Sequence, residues 1–102
     1  WAEVAVRDLE EIVAVIALDS PINAERVLER IASRASTLES TPERGRVVPE
    51  LAHLGMRTQR ELVVKPYRLI YRMEGDTVTV LALFDGRRDL EDLLLERLVR
   101  SR

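Results

Sequence analysis

Apolar and polar residues recur with two different periods along this chain, and the change of period divides it. From Ala2 to Leu18, the apolar positions Ala5, Leu9, Ile12, Val13 and Ile16 return every three or four residues. Glu3, Arg7, Asp8, Glu10 and Glu11 lie opposite them, which predicts an amphipathic helix. Asp19-Ser20-Pro21 ends this helix and starts another. The Ser20 hydroxyl is placed to accept from orphan amides, and Pro21 suits the first helical position, where its missing N–H costs nothing. The second helix should run to Leu38 or Glu39, with Ala24, Val27, Leu28, Ile31, Ala35 and Leu38 on its inner stripe. A connection this short makes the two helices an antiparallel hairpin.

The period falls to two after Thr41-Pro42-Glu43-Arg44-Gly45-Arg46, a turn-rich break. Val47-Val48-Pro49-Glu50-Leu51 is expected to be extended, with Pro49 keeping it at a sheet edge or outside the sheet. Arg60 to Val64, Tyr67 to Met73 and Thr77 to Phe84 read as strands, joined by Lys65-Pro66 and by Glu74-Gly75-Asp76. Asp85-Gly86 closes the last strand. Arg88 to Val99 then predicts a final helix, with Leu90, Leu93, Leu94 and Leu98 on one face. The fold class expected is α+β: a helical hairpin packed on one face of a small antiparallel sheet, followed by a C-terminal helix. The 102 residues suffice for one such domain, 1–102, and contain no internal repeat.

Composition narrows the chemistry. Without cysteine there are no disulfides or thiolate metal sites, which fits a cytoplasmic protein in a reducing compartment. The longest apolar run, Ile12 to Leu18, falls well short of the ~20 residues of a membrane span, and no secretory signal is seen. A net charge of −2 argues against a surface that grips nucleic acid throughout. The charge is unevenly spread, at −4 over residues 1–50 and +2 over residues 51–102. Arg57, Arg60, Lys65, Arg68 and Arg72 form a local basic patch, opposed within that stretch only by Glu61.

Catalytic and metal chemistry find little support. His53 is the only histidine, so no metal centre is expected, and a nucleophile elbow is absent. Gly45, Gly55, Gly75 and Gly86 stand alone, so no phosphate-cradling loop and no cofactor are expected. Asp85, Asp89, Glu91 and Asp92 suit the N-terminus of the last helix better than an active site. Strand alternation puts Arg68, Ile70 and Arg72 on one face, and Tyr67, Leu69 and Tyr71 on the other. If helices cover only one face, the second would display arginines beside an exposed apolar groove. A solvated face balanced by nearby acids is the plainer use of the same residues.

In order and spacing, the residues resemble the RelE/ParE toxins of bacterial type II toxin–antitoxin systems. The likeness rests on Trp1, Ala5 and Asp8-Leu9, then Ser20-Pro21 with Ala24, then Leu38, Pro42 and Gly45-Arg46. It continues through Val48-Pro49-Glu50-Leu51, Arg60-Glu61-Leu62, Tyr67-Arg68-Leu69-Ile70-Tyr71 and Asp85-Gly86-Arg87-Arg88-Asp89-Leu90. The resemblance implies a small α+β toxin held inactive by a cognate antitoxin. It also implies an N-terminal strand before the first helix, and a chain opening on Trp1 rather than Met is expected to have lost or hidden that strand.

Two branches of the family differ in target. RelE-like members cleave messenger RNA in the ribosome with basic residues on the sheet and often a C-terminal tyrosine or histidine. ParE-like members poison DNA gyrase and lack that set. Here Arg68 and Arg88 fall where nuclease members place catalytic arginines, so these two are the catalytic candidates if the chain is RelE-like. Gln59 and Glu61 stand where such members carry lysines, and Leu94 takes the aromatic position. A carboxylate at Glu61 would repel a scissile phosphate and can neutralise Arg68 across the strands. A nuclease needs both charge stabilisation and proton transfer, and this pattern keeps only part of the first. The favoured reading is therefore a ParE-like gyrase inhibitor that is not an enzyme. A ribosome-dependent endoribonuclease with a divergent site is the alternative, and a decayed member with a structural role in its complex is a third.

The antitoxin expected is of the ribbon-helix-helix, ParD-like kind. Its C-terminal segment would bury apolar side chains between sheet and helices and pair its acids with Arg57, Arg60, Arg68, Arg72, Arg87 and Arg88. A toxin homodimer and a heterotetramer built on a dimeric antitoxin both fit the pattern.

Overall fold

A computed structural model describes residues 1–100. Helices α1 (Glu3–Asp19) and α2 (Pro21–Ser36) form the predicted hairpin, and a 3-10 turn at Thr37–Glu39 extends α2. The Ser20 hydroxyl accepts from the Asn23 amide at 3.1 Å, with Pro21 in the first turn. Ala5, Ala24, Val27, Ile31 and Leu38 are buried as the helical spacing requires. Leu28 is not: it is 38% exposed, because the buried stripe of α2 is narrower than its apolar spacing suggests.

Strands β1 (Arg46–Val47), β2 (Gln59–Val64), β3 (Tyr67–Glu74) and β4 (Thr77–Asp85) form one antiparallel sheet in the order β1-β2-β3-β4. Lys65-Pro66, whose peptide bond is cis, joins β2 to β3. Gly75, at φ 59°, supplies the left-handed residue of the β3–β4 turn. At the outer edge of β4, the Ala2 amide donates to the Val80 carbonyl at 2.8 Å. A register shift between Ile70 and Tyr71 leaves Leu81 as an extra residue in β4. That bulge lets Val80 and Leu83 both face the hairpin, although strict alternation would put them on opposite faces.

Two expectations need correction. Val47-Val48-Pro49-Glu50-Leu51 is extended only at its start, and α3 (Pro49–His53) follows at once. Val48 is the extended residue before the helix, Pro49 fills its first turn, and Leu51 is buried beneath it. Nor is the second face of the sheet open. The hairpin packs on Leu62, Val64, Leu69, Tyr71, Val80 and Leu83, while Val48 just before α3, Leu51 within it, and Leu90 and Leu93 of α4 (Leu90–Arg100) cover Ile70, Ala82 and Phe84. The exposed apolar groove expected there is filled by the chain itself. Ile70 and Phe84 could not remain in water without losing roughly 1.5–3 kcal/mol each.

Helix α4 begins two residues later than expected, with Asp89 as its cap: its Oδ1 accepts from the Glu91 amide at 3.0 Å and the Asp92 amide at 3.3 Å. Leu94 packs against the second core, and the side chain of Leu98 lies outside the described residues. Asp8, read from the sequence as part of the polar face of α1, turns inward instead. Its Oδ2 accepts from the Leu83 amide on the β4 edge at 3.0 Å, and its Oδ1 pairs with Arg97 of α4. Among the described residues, no helix is long and apolar enough to cross a membrane.

Tyr71 fastens the turn before β1 to the sheet. Its buried hydroxyl donates to the Pro42 carbonyl at 2.7 Å and accepts from the Gly45 amide at 2.9 Å. Tyr71→Phe strands both backbone groups and should cost about 1–3 kcal/mol. Urea denaturation checks this; an unchanged midpoint would mean the turn is satisfied some other way.

Candidate functional site

The sheet arginines converge on one polar network. Arg68 on β3 and Glu61 on β2 are diagonal neighbours, since Val63 faces Arg68 and Glu61 faces Ile70 in the register. The Arg68 Nε donates to Glu61 Oε1 at 2.7 Å, and its Nη2 reaches the same oxygen. The other edge of the guanidinium is a fork on Glu50 of α3, with Nη1 donating at 2.6 Å and Nη2 at 2.8 Å. Arg46 of β1 completes the set by donating from Nε to Glu61 Oε2 at 2.7 Å. The Glu61 side chain is 0% exposed and that of Arg68 13%. Beneath them the Phe84 ring centroid lies 5.7 Å from the Arg68 guanidinium carbon, a cation–π contact.

Two carboxylates thus neutralise two guanidiniums. The cross-strand pairing of Glu61 with Arg68 follows from strand parity, as the sequence suggests. Glu50 and Arg46 were not foreseen as members. Glu50 looked like a side chain of an extended segment, and only the turn of α3 brings its carboxylate over β3. The fork from Arg68 holds the Glu50 carboxyl below its ordinary range, and the two carboxylates raise the Arg68 guanidinium further, so both stay charged.

The remaining candidates are scattered rather than gathered. Arg60 donates from Nη1 to the Gly45 carbonyl at 2.8 Å, and Arg72 pairs with Glu74 at 2.8 Å. Arg87 folds onto Asp85, its Nε 2.9 Å from Oδ1, and this holds the Asp85 carboxyl down to about 2. Arg57 and Arg88 are exposed, and their guanidinium groups make no hydrogen bond or ion pair among the described residues. His53 ends α3 in the open, and no cluster of three metal-ligating side chains exists among the described residues.

Acid should therefore weaken the fold in a definite window. Glu50 and Asp85 have lower pKa values folded than unfolded, so the unfolded chain takes up protons first as pH falls. The stability they contribute is complete above about pH 4.5 and is lost as pH falls toward 2. Urea midpoints measured from pH 6 to pH 2 should fall through that window, and Glu50→Gln should flatten part of the decline. A Glu50→Gln profile parallel to that of the parent would exclude Glu50 as a source.

Alongside the network runs an open cleft of about 550 Å³ between α3, the β2–β3 turn and the loop after β4, lined by residues including Arg46, Lys65 and Arg87. The sequence that builds this site matches a known family. The family model of the ParE toxin of the type II toxin–antitoxin system parDE aligns with residues 1–90. Toxin ParE3 of Caulobacter vibrioides is 37% identical over 67 residues, covering 66% of this chain and 63% of that relative. The matched part thus spans less than two thirds of the relative. Since the family model takes in both the hairpin and the whole sheet, the chain belongs to the ParE toxin family of type II toxin–antitoxin systems.

Proposed function

We propose that this chain is a toxin that stalls DNA gyrase on cleaved DNA and is neutralised by a cognate, ParD-like antitoxin. One observation supports a protein target over ribonuclease chemistry. Arg68, the sheet arginine best placed to hold a phosphate, spends its Nε, Nη1 and Nη2 donors on Glu50 and Glu61. A phosphate entering there would have to displace one carboxylate and approach the other, both of its own sign. Leu94, packed in the second core, has no proton to give. What remains outward is a set of exposed cations suited to protein partners: Arg57 and Arg88 free, Arg72 and Arg87 held only by surface pairs that exchange readily.

The antitoxin is proposed to meet that surface with acidic side chains. Expression of the chain in bacteria should arrest growth with filamentation and a DNA-damage response, because stalled gyrase leaves broken DNA. Co-expression of a cognate ribbon-helix-helix antitoxin should restore growth. Arrest that proceeds by loss of messenger RNA, with chromosomal DNA intact, would overturn the proposal.

A further inference from the structure

We infer that the cleft beside the charge network is a docking site for an extended acidic peptide segment, with Lys65, Arg46 and Arg87 as its cationic contacts and Val63 as its apolar one. Naming the antitoxin as source of that segment rests on the toxin reading above; the chemistry of the cleft does not. Lys65 belongs to the basic patch read from the sequence, but neither it nor Arg46 is among the antitoxin-binding candidates named there.

The walls are held in place before any partner arrives. The β2–β3 turn is pinned from two sides: Arg30 donates to the Lys65 carbonyl at 2.7 Å, and the Gly86 amide donates to the Pro66 carbonyl at 2.8 Å. Little room is left between that turn and the loop after β4, since a Cβ on Gly86 would lie 3.0 Å from the Pro66 carbonyl oxygen. Docking onto such a frame carries a small ordering cost.

Its donors are unevenly spent. Arg68, at the floor, gives four hydrogen bonds to Glu50 and Glu61 and serves as structure rather than ligand. Arg46 gives only its Nε to Glu61, and its side chain is 65% exposed, which leaves its outer N–H groups to solvent. The Lys65 ammonium is exposed and has no ion pair among the described residues. Arg87 is 83% exposed and held only by Asp85. Between these cations sit Pro49, Pro66 and Val63, the last 40% exposed.

Alternating cations and apolar surface favour a peptide over nucleic acid. No aromatic ring lines the cleft for a base to stack on. An extended peptide places successive side chains on opposite sides, so acids can meet Lys65, Arg46 and Arg87 while interleaved apolar residues cover Val63.

The test uses the intact chain and three fluorescein-labelled probes: a peptide of alternating glutamate and leucine, its lysine-for-glutamate counterpart, and an oligothymidine of equal length. The acidic peptide should bind saturably, weaken as salt rises, and lose at least tenfold in affinity with Lys65→Glu. Val63→Glu should weaken it comparably. Both positions are exposed, and thermal unfolding of each variant confirms its fold. Equal binding of the lysine peptide, tighter binding of the oligothymidine, or indifference to Lys65→Glu would each overturn the inference. A chain that stalls gyrase and is rescued by its antitoxin, yet ignores the acidic peptide, overturns this inference alone. One that binds the peptide at Lys65 but leaves gyrase untouched supports it and overturns only the target.

Discussion

Glu61→Ala should cost about 3–5 kcal/mol, because it leaves the buried Arg68 guanidinium with half its partners and frees Arg46. For a domain of this size that corresponds to a fall in Tm of about 12 °C or more. The loss comes from an orphaned charge rather than from the missing methylenes, and the two causes separate in a cycle. Glu61→Leu alone should be nearly as damaging as Glu61→Ala. Adding Arg68→Met to Glu61→Leu should recover part of the loss, since a buried pair replaced by apolar residues of similar volume is often neutral. Thermal and urea unfolding of the three variants and the parent measure this. Additive losses in the double variant would mean that shape, not charge, makes Glu61 indispensable.

Gly45→Ala should be comparably severe, at about 3 kcal/mol or more, for a steric reason. An added Cβ would lie 2.4 Å from the Glu61 backbone carbonyl, 2.7 Å from the Tyr71 hydroxyl and 2.8 Å from its ring. The first of these is backbone of β2 and the others belong to a fully buried side chain, so nothing flexible is available to give way. Relief requires moving the turn before β1, which breaks the hydrogen bonds from Tyr71 to Pro42 and from Arg60 to the Gly45 carbonyl. Combining Gly45→Ala with Tyr71→Phe, which removes one clashing atom, should not restore stability, because the contact with β2 backbone remains. A fully stable Gly45→Ala chain would show that β1 can sit elsewhere.

What could be read from the sequence is what local rules decide. The Ser20-Pro21 cap, the three later strands and the two-residue turn at Gly75 depend on neighbours within a few residues, and each lies where the pattern puts it. The pairing of Glu61 with Arg68 was legible as well, because side-chain parity on adjacent strands is fixed by the pleat. Contacts set by tertiary placement were not. The sequence reads Pro49 as holding an extended segment at a sheet edge or outside the sheet, whereas it opens α3, and these roles all suit a residue without an amide hydrogen. Without that helix Glu50 has no reason to reach Arg68, and the second face of the sheet loses part of its cover. Asp8 is likewise unremarkable in a helical pattern; only the open edge of β4, with the Leu83 amide unpaired by any strand, explains why it turns inward.

The same charge network bears on function. A net charge of −2 first excluded only a broadly basic surface. The geometry adds that the most central arginine is neutralised from within, while Arg57, Arg88, Lys65 and the outer half of Arg46 face outward. A molecule built this way has charge to offer acidic protein surfaces and little for a scissile phosphate.

Gyrase itself provides the most direct measurement. Purified chain added to gyrase, supercoiled plasmid and ATP should cause linear, gyrase-bound DNA to accumulate, and prior addition of the antitoxin should prevent it. Undisturbed supercoiling in that reaction, together with new cuts in a defined message on translating ribosomes, would contradict the gyrase reading.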